Sequence, residues 1–378
     1  MKRFWTEVDA RESALAPYFQ KTGQLIRLTL ELTDQCNNNC VHCYINEDSV
    51  RAHQSNKHRL SFDEIRQIAE SAVRLEALSV LLTGGEPLLR PDFKDIYMLF
   101  KRLGFVVSVF TNATLLNEDW IRLFEEYPPR VLDVSVYGIT EETYERVTRV
   151  QGSYKRFRHG IELLNQSKVF KGYKAVLVRD NVHEFQEIRS FCREHSDREF
   201  RFDTYLNYRV DRDFGRNADI ESQRLTPEEV HQIERSTPET VEALREMHRK
   251  NSDILEHVRE KSEGAEQPLF LCGAGKHVVT ISSDGMVRPC GFLVAPRFSF
   301  SIREHDLETI HRELMPNALD LQASPYFACG RCDLQSLCDA CPATAYLDTG
   351  ELEGKQEYLC RIASLRSQIV DGTIPALE

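Results

Sequence analysis

The 378-residue sequence has no apolar run of membrane-spanning length and no export signal at its start. The opening M-K-R-F-W-T-E-V-D-A-R-E turns acidic before any apolar region develops. A cytoplasmic protein away from the membrane is expected. Positive charge is also short: 48 Lys and Arg face 59 Asp and Glu, for a net charge of −11. An acidic chain is a poor general binder of nucleic acid or anionic lipid. No general acid or base stands out. With no export signal, the eleven cysteines read as metal ligands rather than disulfides. Three lie near the start, one at Cys192, and seven between Cys272 and Cys360. Hydrophobic residues at 41% and charged residues at 28% are ordinary for a globular chain, and the length allows two or three domains.

The stretch Cys36 to Cys43 reads C-N-N-N-C-V-H-C. It follows an alternating apolar run, Leu25 to Leu32. Three cysteines spaced in this way can face one point if the loop curls. Three thiolates suit a four-iron cluster whose fourth iron stays open to a ligand. The competing readings are a zinc loop or buried structural cysteines. Zinc loops favour paired cysteines supplying four ligands, which this spacing fits poorly.

From residue 25, short apolar strands alternate with helical segments. Strands are expected at Leu25–Leu32, Leu78–Thr83, Phe105–Thr111, Val131–Tyr137, Tyr173–Val178 and Phe200–Leu206. Ser61 with Glu64, and Asn181 with Glu184, have capping-box spacing. Asn117 and Thr140 are good N-caps, each followed by acidic residues. Six strand–helix repeats imply a parallel sheet with helices outside, and ligands at the carboxyl ends of the strands.

The candidate motifs fall at those ends. Thr83 to Pro87 reads T-G-G-E-P, where two glycines let backbone come close to a neighbour. Asn112 follows the third strand, where an Asx turn is the plain alternative. Asp133 and Ser135 share one face of the fourth strand and need partners there. Arg149 leads towards the next helix, with a solvent-exposed role as its alternative. Cys192 reads as a small buried residue.

Residues 211–268 change character: charge density rises and strand signals vanish. Thr226-Pro227-Glu228-Glu229 is a helix start with capping-box spacing. Val230, Ile233, Val241, Leu244, Met247, Ile254 and Val258 recur at helical spacing. This is expected to be a helical bridge, with a solvated spacer as its alternative. Beyond it, Cys272 and Cys290 flank a predicted β-hairpin with Asp284-Gly285 at the turn. Cys329, Cys332, Cys338, Cys341 and Cys360 follow. Taken alone, this region leaves a pair of zinc knuckles as the competing reading.

The CX3CX2C loop with His42 before its last cysteine, together with Gly84-Gly85-Glu86, resembles the radical SAM superfamily. The seven-cysteine order at the C-terminus resembles the SPASM subgroup. The resemblance implies an α/β fold: a partial (β/α)6 TIM-like radical SAM barrel with a C-terminal iron–sulfur SPASM domain. The expected division is an N-terminal cap at 1–24, the barrel at 25–210, the bridge at 211–268 and the auxiliary-cluster domain at 269–378.

The resemblance also implies a [4Fe-4S] cluster on Cys36, Cys40 and Cys43, with S-adenosylmethionine on its open iron. Cleavage of that cofactor would give a 5′-deoxyadenosyl radical that abstracts hydrogen. His42, Gly84, Gly85, Glu86, Asn112, Ser135 and Arg149 are the implied cofactor contacts. Two auxiliary clusters are implied, one on Cys272, Cys290 and Cys341 and one on Cys329, Cys332, Cys338 and Cys360, making three in all. The implied substrate is a peptide or protein side chain that is crosslinked or oxidised, the auxiliary clusters carrying electrons. An electron donor such as flavodoxin or ferredoxin is implied, with a separate peptide-recognition protein as a possible partner. Tyr137-Gly138 stands where many relatives have Asp-Gly, and Cys338 to Cys341 is one residue shorter than usual. The alternatives are modification of a small molecule such as a tetrapyrrole, and a non-catalytic iron–sulfur carrier or zinc scaffold.

Overall fold

A computed structural model describes residues 24–46, 58–261 and 267–370. Nearly all of the expected N-terminal cap lies outside these residues. The described chain divides into two compact units. One comprises residues 24–224 and 273–317, the other 225–272 and 318–370. The expected bridge is thus divided at Arg224.

The first unit is built on one nine-stranded sheet. Six parallel strands run in chain order: β1 (Arg27–Glu31), β2 (Ser79–Thr83), β3 (Val106–Thr111), β4 (Val131–Val136), β5 (Lys171–Val176) and β6 (Arg201–Asp203). Beyond β1 lie β7 (Val278–Ile281), then β8 (Met286–Arg288) and β9 (Phe300–Ser301). β7 is parallel to β1, whereas β8 and β9 are antiparallel. The sheet does not close. It is the expected partial barrel, extended by the predicted hairpin. Gly285 occupies its turn with φ +89°, a left-handed conformation that favours glycine.

Period-two alternation explains the layers. Leu28, Leu30 and Leu32 are buried on one face of β1, with Thr29 and Glu31 on the other. Register carries the second face across the sheet, through Thr83, Phe110, Asp133, Ser135, Lys174 and Arg201. Connecting helices are α1 (Phe62–Arg74), α2 (Phe93–Arg102), α3 (Glu118–Glu126), α4 (Glu141–Thr148), α5 (Ser153–Gln166) and α6 (Phe185–His195). In α1, Ile65, Ile68, Ala69 and Ala72 form the buried stripe. The Ser61–Glu64 capping box is present, and Asn117 and Thr140 cap their helices.

β6 spans only Arg201–Asp203 of the predicted Phe200–Leu206, and two further expectations need correction. β5 begins at Lys171 and ends at Val176, two residues earlier than predicted. Asn181 and Glu184 form no capping box. Asn181 Oδ1 instead accepts from the Val178 amide at 2.8 Å, and Glu184 accepts from the Ile139 amide at 2.6 Å. These tertiary bonds occupy the groups that would have closed the local cap. Cys192 is buried in α6, as expected.

α7 (Phe214–Gln223) closes the first stretch of this unit. The second unit is helical, with α8 (Pro227–Arg235), α9 (Pro238–Lys261), α10 (Pro342–Thr349) and α11 (Glu357–Val370). Thr226 and Glu229 form the predicted capping box. Val241, Leu244 and Met247 of α9 pack with Leu337 and with Ile369 of α11. Most of the apolar stripe read from the sequence is therefore core rather than solvated spacer, although Ile254 is 53% exposed. Arg366 is buried and paired with Glu234 at 2.7 Å and Asp339 at 2.6 Å.

Candidate functional site

The cysteine loop leaves the carboxyl end of β1 and is tied down on two sides. Against β2, the Gly85 amide donates to Thr33 O at 2.6 Å and the Glu86 amide to Gln35 O at 2.8 Å. A Cβ on Gly84 would collide with Thr33 O, and one on Gly85 with Gln35 O. The two glycines therefore let the backbone entering Cys36 pack directly on the T-G-G-E-P turn. Buried Arg90 reinforces this junction, donating to Leu32 O at 3.0 Å and Leu60 O at 2.7 Å. On the other side, the Asn39 and Val41 amides donate to Thr148 O and Val147 O at 2.9 and 3.0 Å.

Glu86 is fully buried and acts as a hub. It accepts from the Leu88 amide at 3.1 Å, Thr111 Oγ1 at 2.8 Å and the Asn112 amide at 2.8 Å. Burial pushes its carboxyl up to about 7, against these donors. Asn112 in turn donates from Nδ2 to Asn37 Oδ1 at 3.0 Å and towards Cys36 Sγ at 3.6 Å. Asn37 reaches Thr114 Oγ1 at 2.7 Å. The turn after β3 is thus wired to the first cysteine.

Hydrogen-bond donors already meet the sulfurs. Cys36 Sγ accepts from the Asn38 amide at 3.4 Å, and Cys43 Sγ from the Asn46 amide at 3.3 Å. Burial raises Cys36 to about 12 and Cys40 above the ordinary thiol range. Thiolates here need a positive partner, which iron provides. His42 packs its ring 5.4 Å from that of Tyr137. Its Nδ1 is buried without a partner, and burial lowers its pKa to about 4, so the ring is neutral. Among the described residues, no three Cys, His, Asp or Glu side chains group closely enough to hold one metal ion. A four-iron cluster places each thiolate on a different iron, a wider arrangement. Three thiols from one loop, two of them already supplied with N–H donors, fit such a cluster.

The other predicted residues divide. Ser135 faces the sheet's inner side beside Tyr137, and Asp133 on that side pairs with Arg201 and Arg198. Arg149 is exposed, caps α4 in a left-handed conformation (φ +55°), and holds Asp219 at 2.8 Å.

Two groups on the same unit carried no sequence signal. Lys174 places Nζ 3.2 Å from the Phe110 ring centroid, and burial pulls its pKa down to about 8. Arg209, in an unpatterned loop, is fully buried against the end of the cysteine loop.

In the second unit, six cysteines line one cleft of about 340 Å³: Cys272, Cys329, Cys332, Cys338, Cys341 and Cys360. Phe270, Phe327, Leu269 and Leu352 supply apolar walls. Burial raises Cys338 to about 11, with Cys360 and Cys329 adding to it, and burial plus Cys360 and Cys332 raises Cys329. Cys290 belongs to the other unit, after β8, as does His277, whose Nδ1 lies 3.1 Å from Gln24 O.

Comparison with known proteins follows the same lines. The family described as "Radical SAM superfamily" matches residues 30–192. The AdoMet-dependent heme synthase of Methanosarcina barkeri is 27% identical over 87% of this chain and 94% of its own length. The antilisterial bacteriocin subtilosin biosynthesis protein AlbA of Bacillus subtilis is 25% identical over 87% of this chain and 68% of its own. Among solved structures, Streptococcus suis SuiB bound to S-adenosylmethionine has a TM-score of 0.62 at 16% identity, covering 89% of this chain and 77% of that one. The same protein bound to precursor peptide SuiA gives 0.61 at 16% identity, over 93% and 80%. At that identity the likeness concerns the fold.

Proposed function

We propose that this chain, whose residues 30–192 match the radical SAM superfamily, is a radical SAM enzyme that oxidatively modifies a side chain of a peptide or protein. The observation that carries the reading is the loop Cys36–Cys43, seated on the Gly84-Gly85-Glu86 turn, with donors aimed at its sulfurs. Cys36, Cys40 and Cys43 would hold a four-iron cluster with one iron open to S-adenosylmethionine. When bound, that pair supplies a radical able to remove a hydrogen atom from the substrate.

The protein's own part is to fix the loop and to shape the sheet's inner face for the substrate. The cleft ringed by six cysteines supports auxiliary clusters that take up the electron released on oxidation. Cys329, Cys332, Cys338 and Cys360 would hold one. Cys272 and Cys341 would serve the other. The bacteriocin-biosynthesis relative and the precursor-peptide complex of SuiB support a peptide substrate. A reduced flavodoxin or ferredoxin would supply electrons.

The near-complete match to a heme synthase favours a second reading, modification of a tetrapyrrole. The deciding experiment is anaerobic reconstitution, counting iron and sulfide and measuring 5′-deoxyadenosine under reducing conditions. About twelve irons per chain are expected for three clusters. Incubation with small peptides encoded beside the gene, followed by mass spectrometry, should then show loss of hydrogen from the peptide. If modification falls instead on an iron-free or iron-bound tetrapyrrole, the second reading holds. Absence of 5′-deoxyadenosine overturns both.

A further inference from the structure

Arg209 stands in the loop between β6 and α7 and is 2% exposed. Its guanidinium spends all five N–H groups. Nη1 donates to Cys43 O at 3.1 Å and Asn46 Oδ1 at 3.1 Å. Nη2 donates to Asn46 O at 2.9 Å and Asp211 Oδ2 at 2.7 Å. Nε donates to Asp211 Oδ1 at 2.9 Å. Five donors in a rigid plane is the full capacity of the group. Three of the five bonds fall on Cys43 and Asn46.

The surroundings hold this clamp in register. The Arg209 amide donates to Asn217 Oδ1 at 2.9 Å, and the Val210 amide to Tyr44 O at 3.1 Å. Arg216 Nη2 donates to Asn46 Oδ1 at 2.8 Å and to Asn39 Oδ1 at 3.1 Å. Burial opposes the charge on Arg209, but the Asp211 carboxylate more than offsets it. The result is a fixed cation–anion pair behind the third cysteine.

We propose that Arg209 is a positioning residue that locks the Cys43 end of the loop and, with Asp211, sets the reduction potential of the cluster it serves. The proposal rests on the reading of Cys36, Cys40 and Cys43 as cluster ligands. Cluster potentials follow local net charge and hydrogen bonding. Neutralising Arg209 leaves the Asp211 carboxylate uncompensated and makes the oxidised, less negative cluster the favoured state. Neutralising Asp211 leaves a bare cation and does the opposite. A purely mechanical clamp has no such pair of signs.

The test uses the full-length, anaerobically reconstituted protein, with S-adenosylmethionine as probe. The electron paramagnetic resonance signal that changes when the probe is added is followed through a redox titration. Arg209→Met should lower the reduced-to-oxidised ratio at a fixed potential about tenfold, a shift of about 59 mV to more negative values for one electron. Asp211→Asn should shift it the other way. Arg209→Lys keeps the charge but loses the planar fork. It should titrate near wild type while releasing iron faster to a chelator. Coincident titrations for Arg209→Met, Asp211→Asn and wild type, or shifts of one sign in both variants, overturn the proposal. If Arg209→Met fails to load iron, the sign of the Asp211→Asn shift decides. If no wild-type signal responds to the probe, the reading of the loop itself falls first.

Discussion

The two cysteine regions solve the same problem in opposite ways. In the barrel unit, three cysteines sit within eight residues, so the chain itself brings them together. What must be imported is rigidity, and it comes from distant groups: the T-G-G-E-P turn, Asn112, Arg90 and Arg209. In the helical unit, the cysteines lining the cleft run from Cys272 to Cys360, so the fold must gather them. There the rigidity is general, from α8, α9 and α11, with buried Arg366 tying Glu234 to Asp339 and donating to Leu337 O at 3.1 Å. A buried arginine thus stands behind Cys43 in one unit and beside Cys338 in the other. Local sites are vulnerable to loss of a clamp, and gathered sites to loss of the fold.

The largest expected effect separates the two directly. Replacing Cys36, Cys40 or Cys43 by Ala should abolish 5′-deoxyadenosine formation. Replacing Cys329, Cys338 or Cys360 should leave that product while iron falls by about four per chain. Should the second group also abolish cofactor cleavage, the two regions are not functionally separable.

Next is Arg366→Met, which strands the buried carboxylate of Glu234. Loss of one partner from a buried ion pair costs roughly 3–5 kcal/mol. Denaturant unfolding followed by hydrogen exchange should show α8, α9 and α11 opening first, with the barrel strands unchanged.

Glu31 gives a pH test confined to the barrel unit. Burial raises its pKa from 4.5 to about 7, Arg288 opposing and Asp34 and Asp284 adding to the rise. A carboxyl with a raised folded pKa holds its proton more tightly when folded than unfolded. Its contribution is therefore fully present below pH 4.5 and is lost as pH climbs to about 7. Glu31→Gln should gain stability relative to wild type between pH 5 and pH 8, on the order of 3 kcal/mol. A pH-independent difference in unfolding free energy of the metal-free proteins would contradict this.

The smallest effects sharpen the comparison by being equal. Ser61→Ala and Thr226→Ala each remove one capping box, one per unit, and each should cost about 1 kcal/mol. A markedly larger loss for Thr226 would mean that α8 carries more of its unit than a cap accounts for.

Local pattern made much of this legible. The six parallel strands, the hairpin at Gly285 and four helix starts follow from periodicity and cap chemistry. The glycines at 84 and 85 announced a close approach, but not that the neighbour was the backbone of Thr33 and Gln35. Asn181 and Glu184 have the spacing of a box and spend their bonds elsewhere, which spacing alone does not distinguish. Arg149 carries no mark of its pairing with Asp219, and Arg209 none of its burial. The Asp219 partner of Arg149 is 70 residues away, and the bonds of Arg209 to Asn46 and Cys43 span 163 or more, beyond the reach of any local rule.

The docking of β7 beside β1 has a consequence for biogenesis. Arg27 pairs with Val278, so the edge of β1 stays open until some 250 residues more have been made. Within the described residues the chain also passes between its units at three points, near residues 224, 272 and 317. An emerging polypeptide can assemble strands β1 to β6 on the ribosome, but it presents an unpaired edge for most of translation, a template for pairing with other chains. No single cut detaches the helical unit as one piece. Expression of the first 224 residues alone would keep the cysteine loop yet leave that edge permanently bare.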